Sequence, residues 1–164
     1  TDLAAPMLMA AQARLVQDGH PDVELLRAPM APLPFPDAAF DLIVAHGIWN
    51  LARSGAEFRA AVAEASRVGR PGAGLFVFTF SRHTLPADAT PDPGESFVFS
   101  SWNGEPQCFL TEHELIDELR QAGFVRDLTR PLLEHNLPKP GMLRAGGPPV
   151  IYEGIFTREA LHSS

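Results

Sequence analysis

Two short runs place proton-handling side chains directly after apolar, strand-like segments. His46-Gly47 follows Phe40-Asp41-Leu42-Ile43-Val44-Ala45, and Ser81-Arg82-His83 follows Leu75-Phe76-Val77-Phe78-Thr79-Phe80. Open α/β sheets bind ligands at the carboxyl ends of their strands, so both runs are candidate site positions. An imidazole takes or gives a proton near neutral pH, which makes His46 and His83 candidate general bases. A guanidinium presents a fork of donors, so Arg82 can hold an anionic group of a substrate. Asp2 carries a carboxylate that can accept from two adjacent hydroxyls, or cap the helix that follows it. Trp49 and Asn50 can border a pocket, although core packing explains Trp49 better. His113 and Glu114 fall in a helix's first turn, where capping accounts for them. His135, Lys139 and Arg144 lie in a polar loop that can close over a site. No acidic or histidine cluster has metal-ligand spacing, so no metal is expected.

The elements that must position these groups follow from the apolar pattern. Pro6 to Gln17 reads as a helix with Leu8, Ala11 and Leu15 on one face and a proline suited to the first turn. Val23 to Leu26 reads as a short strand. The proline-rich run 28–36 must be a loop. Phe40 to Ala45 reads as a strand buried on both faces, of the parallel-sheet kind. Ser54-Gly55-Ala56-Glu57 is a capping-box pattern, and its helix carries a stripe of Phe58, Ala61, Val62, Ala65 and Val68. A glycine-rich turn then leads into the strand Leu75 to Phe80. Residues 81–110 read as a long loop, with Phe97-Val98-Phe99 a possible short strand inside it. A loop of this length is usually a lid or a binding insertion. Thr111 opens a second capped helix that buries Leu115, Ile116, Leu119 and Ala122. Phe124 to Leu133 and Val150 to Thr157 read as an antiparallel pair of strands. The alternation predicts one α/β domain over 1–164 with a mostly parallel sheet.

Composition narrows the class. The chain has 164 residues, 45% hydrophobic and 20% charged, which is ordinary for a globular domain. A net charge of −7 and the lack of a basic run make a nucleic-acid partner unlikely. No apolar run approaches the roughly 18–20 residues of a membrane span. Cys108 is the single cysteine, so an internal disulfide and a thiolate zinc cluster are both excluded, and a cytoplasmic setting is the simplest reading. Cys108 itself reads as an inert buried thiol. Arginine outnumbers lysine, with Lys139 the single lysine, and alanine and proline are abundant; this suggests a GC-rich bacterial coding sequence.

Four segments together resemble the class I S-adenosylmethionine-dependent methyltransferase family. They are Thr1-Asp2-Leu3-Ala4-Ala5-Pro6-Met7-Leu8; Leu33-Pro34-Phe35-Pro36-Asp37-Ala38-Ala39-Phe40-Asp41-Leu42-Ile43-Val44-Ala45; Ala65 to Phe78 with its Arg70-Pro71-Gly72-Ala73-Gly74 turn; and Phe109 to Phe124. The second is the most specific. The resemblance implies a Rossmann-like methyltransferase sheet with an antiparallel C-terminal strand, and S-adenosyl-L-methionine as cofactor. It implies that Asp2, with Leu3 beside it, holds the cofactor's ribose hydroxyls. Pro29 and Met30 would lie against the adenine, and Ala45 and His46 against the ribose or methionine part. Pro29 departs from the family, which often has an aspartate there, so adenine recognition would rest on the Met30 backbone and apolar contact. Asp41 sits at the base of its strand and reads as structural.

The family's first strand and its Gly-x-Gly-x-Gly turn have no counterpart in this sequence. The chain is therefore expected to be a partial domain, preceded by about 40–70 further residues, and inactive without them. The intact protein is expected to be a methyltransferase acting on a small-molecule acceptor, with 81–110 flanking the acceptor. Phe97, Phe99 and Trp102 either cover that acceptor or fill a satellite core. Two other classes compete. One is a degenerate methyltransferase-like domain used for partner binding. The other, a nicotinamide-dependent oxidoreductase, is disfavoured by the third and fourth segments.

Overall fold

The computed structural model describes residues 1–20, 22–138 and 147–159. Helix α1 spans Ala5–Gln17, strand β1 Phe40–His46, helix α2 Gly55–Val68 and strand β2 Gly69–Phe80. A two-stranded ribbon follows, β3 at Val98–Phe99 and β4 at Gln107–Cys108. Helix α3 at Glu112–Gln121 leads to β5 at Phe124–Arg126, β6 at Leu133–His135 and β7 at Ile151–Arg158. The main sheet runs β1-β2-β7-β5, with β6 also paired to β7. β1 and β2 are parallel, from Leu42 opposite Gly74 to His46 opposite Phe78. β7 runs antiparallel to β2, β5 and β6. This is the expected α/β sheet with an antiparallel C-terminal strand.

Local chemistry sets the helices. The Ser54 hydroxyl accepts from the Glu57 N–H, and the Glu57 carboxylate takes the Arg53 N–H at 2.7 Å. Thr111 and Glu114 make the full reciprocal capping box. The expected stripe of α2 is buried, together with Leu115 and Leu119 of α3. Apart from Val68, these side chains meet Ala45, Leu75, Val77, Tyr152 and Phe156 on one face of the sheet. Alternation along β2 buries Leu75, Val77 and Thr79 and leaves Phe76, Phe78 and Phe80 half-buried.

Several sequence expectations are corrected. Val23 to Leu26 forms no strand; its neighbourhood makes a single bridge, between Asp2 and Arg27, because no partner runs alongside the rest of it. β1 is not buried on both faces: Leu42 is 62% and Val44 58% exposed. Leu42 and Val44 alternate with Ile43 and Ala45, which pack on the core, so one face of β1 is covered and the other lies open among the described residues. Helix α1 likewise buries no residue. Phe124 to Leu133 is two strands rather than one. Asp127 breaks it by accepting from the Thr129 backbone and hydroxyl, a side-chain-stabilised turn. β2 begins earlier than Leu75, and a register shift between Phe40 and Leu42 absorbs the turn, where Gly72 adopts φ +83°.

Candidate functional site

Because β1 and β2 are parallel, His46-Gly47 and Ser81-Arg82-His83 emerge at one edge of the sheet. His46 is exposed, and its ring stacks on Phe78 with centroids 4.2 Å apart. The Gly47 N–H donates to the Phe78 carbonyl at 2.8 Å, and its positive φ of 65° turns the chain away from the sheet. A Cβ at Gly47 would meet nothing within 4 Å, so the space beside it is open. Ala45 is buried in the core, which leaves its backbone as the part that can face a ligand.

The second run is tied down more firmly. Ser81 donates its N–H to the Val150 carbonyl, and Arg82 donates to that of Leu110 at 2.7 Å. The buried Thr84 hydroxyl exchanges hydrogen bonds with the Val150 backbone. On this platform His83 Nδ1 lies 2.7 Å from Glu134 Oε1, and the Ser81 hydroxyl donates to the same oxygen. Glu134 comes from β6, opposite Tyr152 of β7. Burial pushes the Tyr152 phenol up, a shift opposed by its bond to Ser81 and reinforced by the Glu134 charge, so Tyr152 stays neutral beside the carboxylate. An open cavity of about 470 Å³ adjoins this group, lined by Arg82, His83, Leu85, Ala87, Leu137 and Pro138.

Glu134 was not singled out from the sequence. Its partners lie 53 and 51 residues away, and the apolar pattern that predicts a strand there ends at Leu133, one residue short.

Arg82 spends its donors differently from the expected fork. Its guanidinium donates to the carbonyls of Pro86 and Ala89 at 2.9 and 2.8 Å and lies 5.0 Å over the Phe99 ring. It thereby holds the start of the 81–110 insertion, whose aromatics are packed. Phe97 joins the main core. Phe99 and Phe109 form a second cluster with Leu85, against which Phe80 and Trp102 pack.

Asp2 forms a bridge with Arg27, and its Oδ1 takes the Ala4 N–H at 2.7 Å, closing the entry to α1. The Leu3 carbonyl accepts from Arg27 Nε at 2.9 Å. Pro29 is exposed, whereas Met30 packs against the core. The Leu33–Asp37 run is clamped to α2. Glu64 takes the Leu33 N–H at 2.6 Å, and Arg67 reaches the Leu33 and Phe35 carbonyls and the Asp37 carboxylate. Arg67 beside it holds the Glu64 carboxyl at about 2, well below its ordinary value, against an opposing desolvation. Asp41 pairs with Arg70 at 2.5 Å, in keeping with a structural role. His113 pairs with Asp117, and His135 lies 3.4 Å from Glu153. Burial pushes the Cys108 thiol up to about 12, and it donates to the Ala52 carbonyl. Lys139 and Arg144 lie outside the described residues. Among the described residues no group of three or more potential ligands could hold a metal, and no helix is long and apolar enough to cross a membrane.

Residues 1–78 match a family model described as a methyltransferase domain. A solved S-adenosylmethionine-dependent methyltransferase from Methanosarcina mazei superposes with a TM-score of 0.68 at 20% identity, over 96% of this chain and 80% of that one. Residues 1–78 are thus similar to the methyltransferase-domain family, and the described chain shares the fold of solved S-adenosylmethionine-dependent methyltransferases. Among curated methyltransferases, the ubiquinone/menaquinone biosynthesis C-methyltransferase of Hahella chejuensis is 37% identical over 87 residues, 52% of this chain and 33% of that protein. The demethylmenaquinone methyltransferase of Corynebacterium urealyticum is 38% identical over 122 residues, 64% of this chain and 51% of that protein. The chain thus spans a third to a half of the length of these two methyltransferases.

Proposed function

We propose that the intact protein transfers a methyl group from S-adenosylmethionine to a small-molecule acceptor. One observation carries this reading: the parallel register of β1 and β2 brings an open position beside Gly47 and a cavity beside His83 to the same edge of a methyltransferase-type sheet. When bound, the cofactor supplies an electrophilic methyl and a neutral thioether leaving group. The protein's part is to orient the partners and exclude water.

The residues present fit the adenosine end of that cofactor. Asp2 keeps one carboxylate oxygen beyond the one bonded to Ala4, which suits a ribose diol. Leu3, Pro29 and Met30 offer backbone and apolar surface, and the Ala45 backbone with the exposed His46 ring forms the wall nearer the sheet. Of the three catalytic candidates, His46 is a wall, Arg82 a support for the insertion, and His83 the group placed to take a proton. The acceptor occupies the cavity beside His83, whose walls are mainly aliphatic. The relative from Hahella is named for ubiquinone/menaquinone biosynthesis and that from Corynebacterium for demethylmenaquinone, and a ring-sized apolar acceptor suits this cavity. The net charge disfavours a nucleic-acid acceptor. The single buried thiol accords with a cytoplasmic enzyme.

Calorimetric titration of the full-length protein with S-adenosylmethionine tests the cofactor. Asp2→Ala is expected to weaken binding tenfold to a hundredfold, the equivalent of about 1.5–3 kcal/mol for a charge-assisted pair. A full-length protein that binds no cofactor defeats the proposal, and unchanged affinity in a folded variant removes Asp2 from the site.

A further inference from the structure

We propose that Glu134 is a positioning residue: it fixes His83 with Nδ1 as donor, so that Nε2 is the nitrogen that takes a proton from an acceptor hydroxyl in the adjoining cavity. This rests on the reading of the cavity as the acceptor site.

The geometry is set by the fold rather than by the loop. Glu134 is locked in β6 by its register with Tyr152, and its side chain is only 18% exposed, against 65% for His83. One oxygen, Oε1, receives both the Ser81 hydroxyl and His83 Nδ1. A carboxylate oxygen only accepts, so the nitrogen beside it must carry the hydrogen. The Ser81 oxygen in turn receives the His83 backbone N–H at 3.1 Å, so ring and main chain of His83 are held by the same pair of residues. Among the described residues, Arg82 and Tyr152 are ionisable groups that flank this cluster: the Arg82 guanidinium is turned to the insertion's carbonyls, and the neutral Tyr152 feels Glu112 as well as Glu134. No described cation other than His83 forms an ion pair with Glu134.

The step balances as a simple transfer. The acceptor's O–H bond breaks, an N–H bond forms at Nε2, and the electron pair stays on the acceptor's oxygen, which makes the acceptor nucleophilic. His83 becomes an imidazolium, and Glu134 remains a carboxylate that stabilises it. The acceptor class is then a small apolar ring carrying a hydroxyl acidic enough for imidazole to deprotonate.

The test reads the tautomer directly and needs neither cofactor nor acceptor. ¹⁵N NMR of the histidine rings in the full-length protein, with His83 assigned by loss of its signals in His83→Gln, should show neutral His83 as Nδ1–H. Glu134→Ala should lower the Nδ1–H to Nε2–H ratio on the order of fivefold, because the ring tautomer follows the bond its other nitrogen makes. Glu134→Gln keeps an accepting oxygen and should restore the ratio, which a loss of fold would not do. A wild-type His83 that is mainly Nε2–H overturns the proposal even where Glu134→Ala does not fold, as does an unchanged ratio in a folded Glu134→Ala. Failure of the methyl-transfer reading would show separately, as absence of cofactor binding with the tautomer intact.

Discussion

The two sides of this molecule obey the same apolar pattern with opposite results. Around β2, β7, α2 and α3, apolar side chains are sealed; Phe58, Phe97, Leu75, Leu115 and Phe156 are all below 2% exposed or close to it. Around α1 and β1, apolar side chains of similar size lie open, with Met9 at 73% and Leu42 and Val44 near 60%. The periodicity of α1 matches a core-facing helix, yet α1 buries nothing among the described residues. Hydrophobic period therefore records which face a segment offers, while burial depends on a neighbour supplied from elsewhere. The candidate ligand positions divide in the same way. Asp2 and His46 belong to the open side, whereas His83 and Glu134 are set on the sealed one by bonds from β6, Val150 and Leu110.

The sharpest way to break this comparison is Phe97→Ala. Its ring is fully buried between Phe58, 5.3 Å away, and the Arg59 guanidinium, 5.5 Å from its centroid. If the insertion is core rather than lid, the truncation should cost about 3–5 kcal/mol, the usual range for a buried aromatic. Denaturant unfolding gives the number. A loss below about 1 kcal/mol would mean that the insertion moves as a lid and that the two sides differ less than the burial suggests.

How much was legible follows the distance between cause and residue. Ser54-x-x-Glu57 and Thr111-x-x-Glu114 are local, and both helix starts fall where those residues put them. The break at Asp127 was equally local: an Asp-x-Thr run before Pro131 is a turn signal that the apolar reading of Phe124 to Leu133 overran. The exposure of β1 was not legible, because it depends on what lies beyond the strand. Glu134 and the diversion of Arg82 to loop carbonyls were hidden for another reason. Residue type gave the right chemistry for Arg82, a fork of donors, but not its recipient.

A second test probes the join between the two sides, where Glu64 and Arg67 clamp the Leu33–Asp37 run to α2. The folded-state Glu64 carboxyl sits at about 2, below the ordinary 4.5 of an unfolded chain. The stability it contributes is therefore complete above about pH 4.5 and is lost as pH falls from there through 2. Solvent screening at this surface-facing clamp keeps the contribution at about 1 kcal/mol or less. Glu64→Gln should lose that amount at neutral pH and show a flatter stability profile between about pH 4.5 and 2 than the wild type. An identical acid profile in the two proteins would take the clamp out of the join.

The smallest expected effect sharpens the comparison most directly. Met9 lies in the interior of α1, a helix with no buried residue, and is exposed over nearly three-quarters of its surface. Methionine and glutamine have similar length and similar helix propensity, so Met9→Gln changes little besides apolar surface. In the chain as described, that surface is already in water, and the stability change should fall within about 0.5 kcal/mol. Burial of Met9 by anything else would reverse the expectation: replacing a buried methionine with a buried, unpaired amide costs about 1–3 kcal/mol or more. Urea unfolding at two protein concentrations separates the cases. A small loss at both concentrations leaves α1 as the open side of the comparison. A large loss that is independent of concentration places Met9 inside the folded chain. A large loss that appears only at the higher concentration places it against a second molecule, because association stabilises the folded form by mass action.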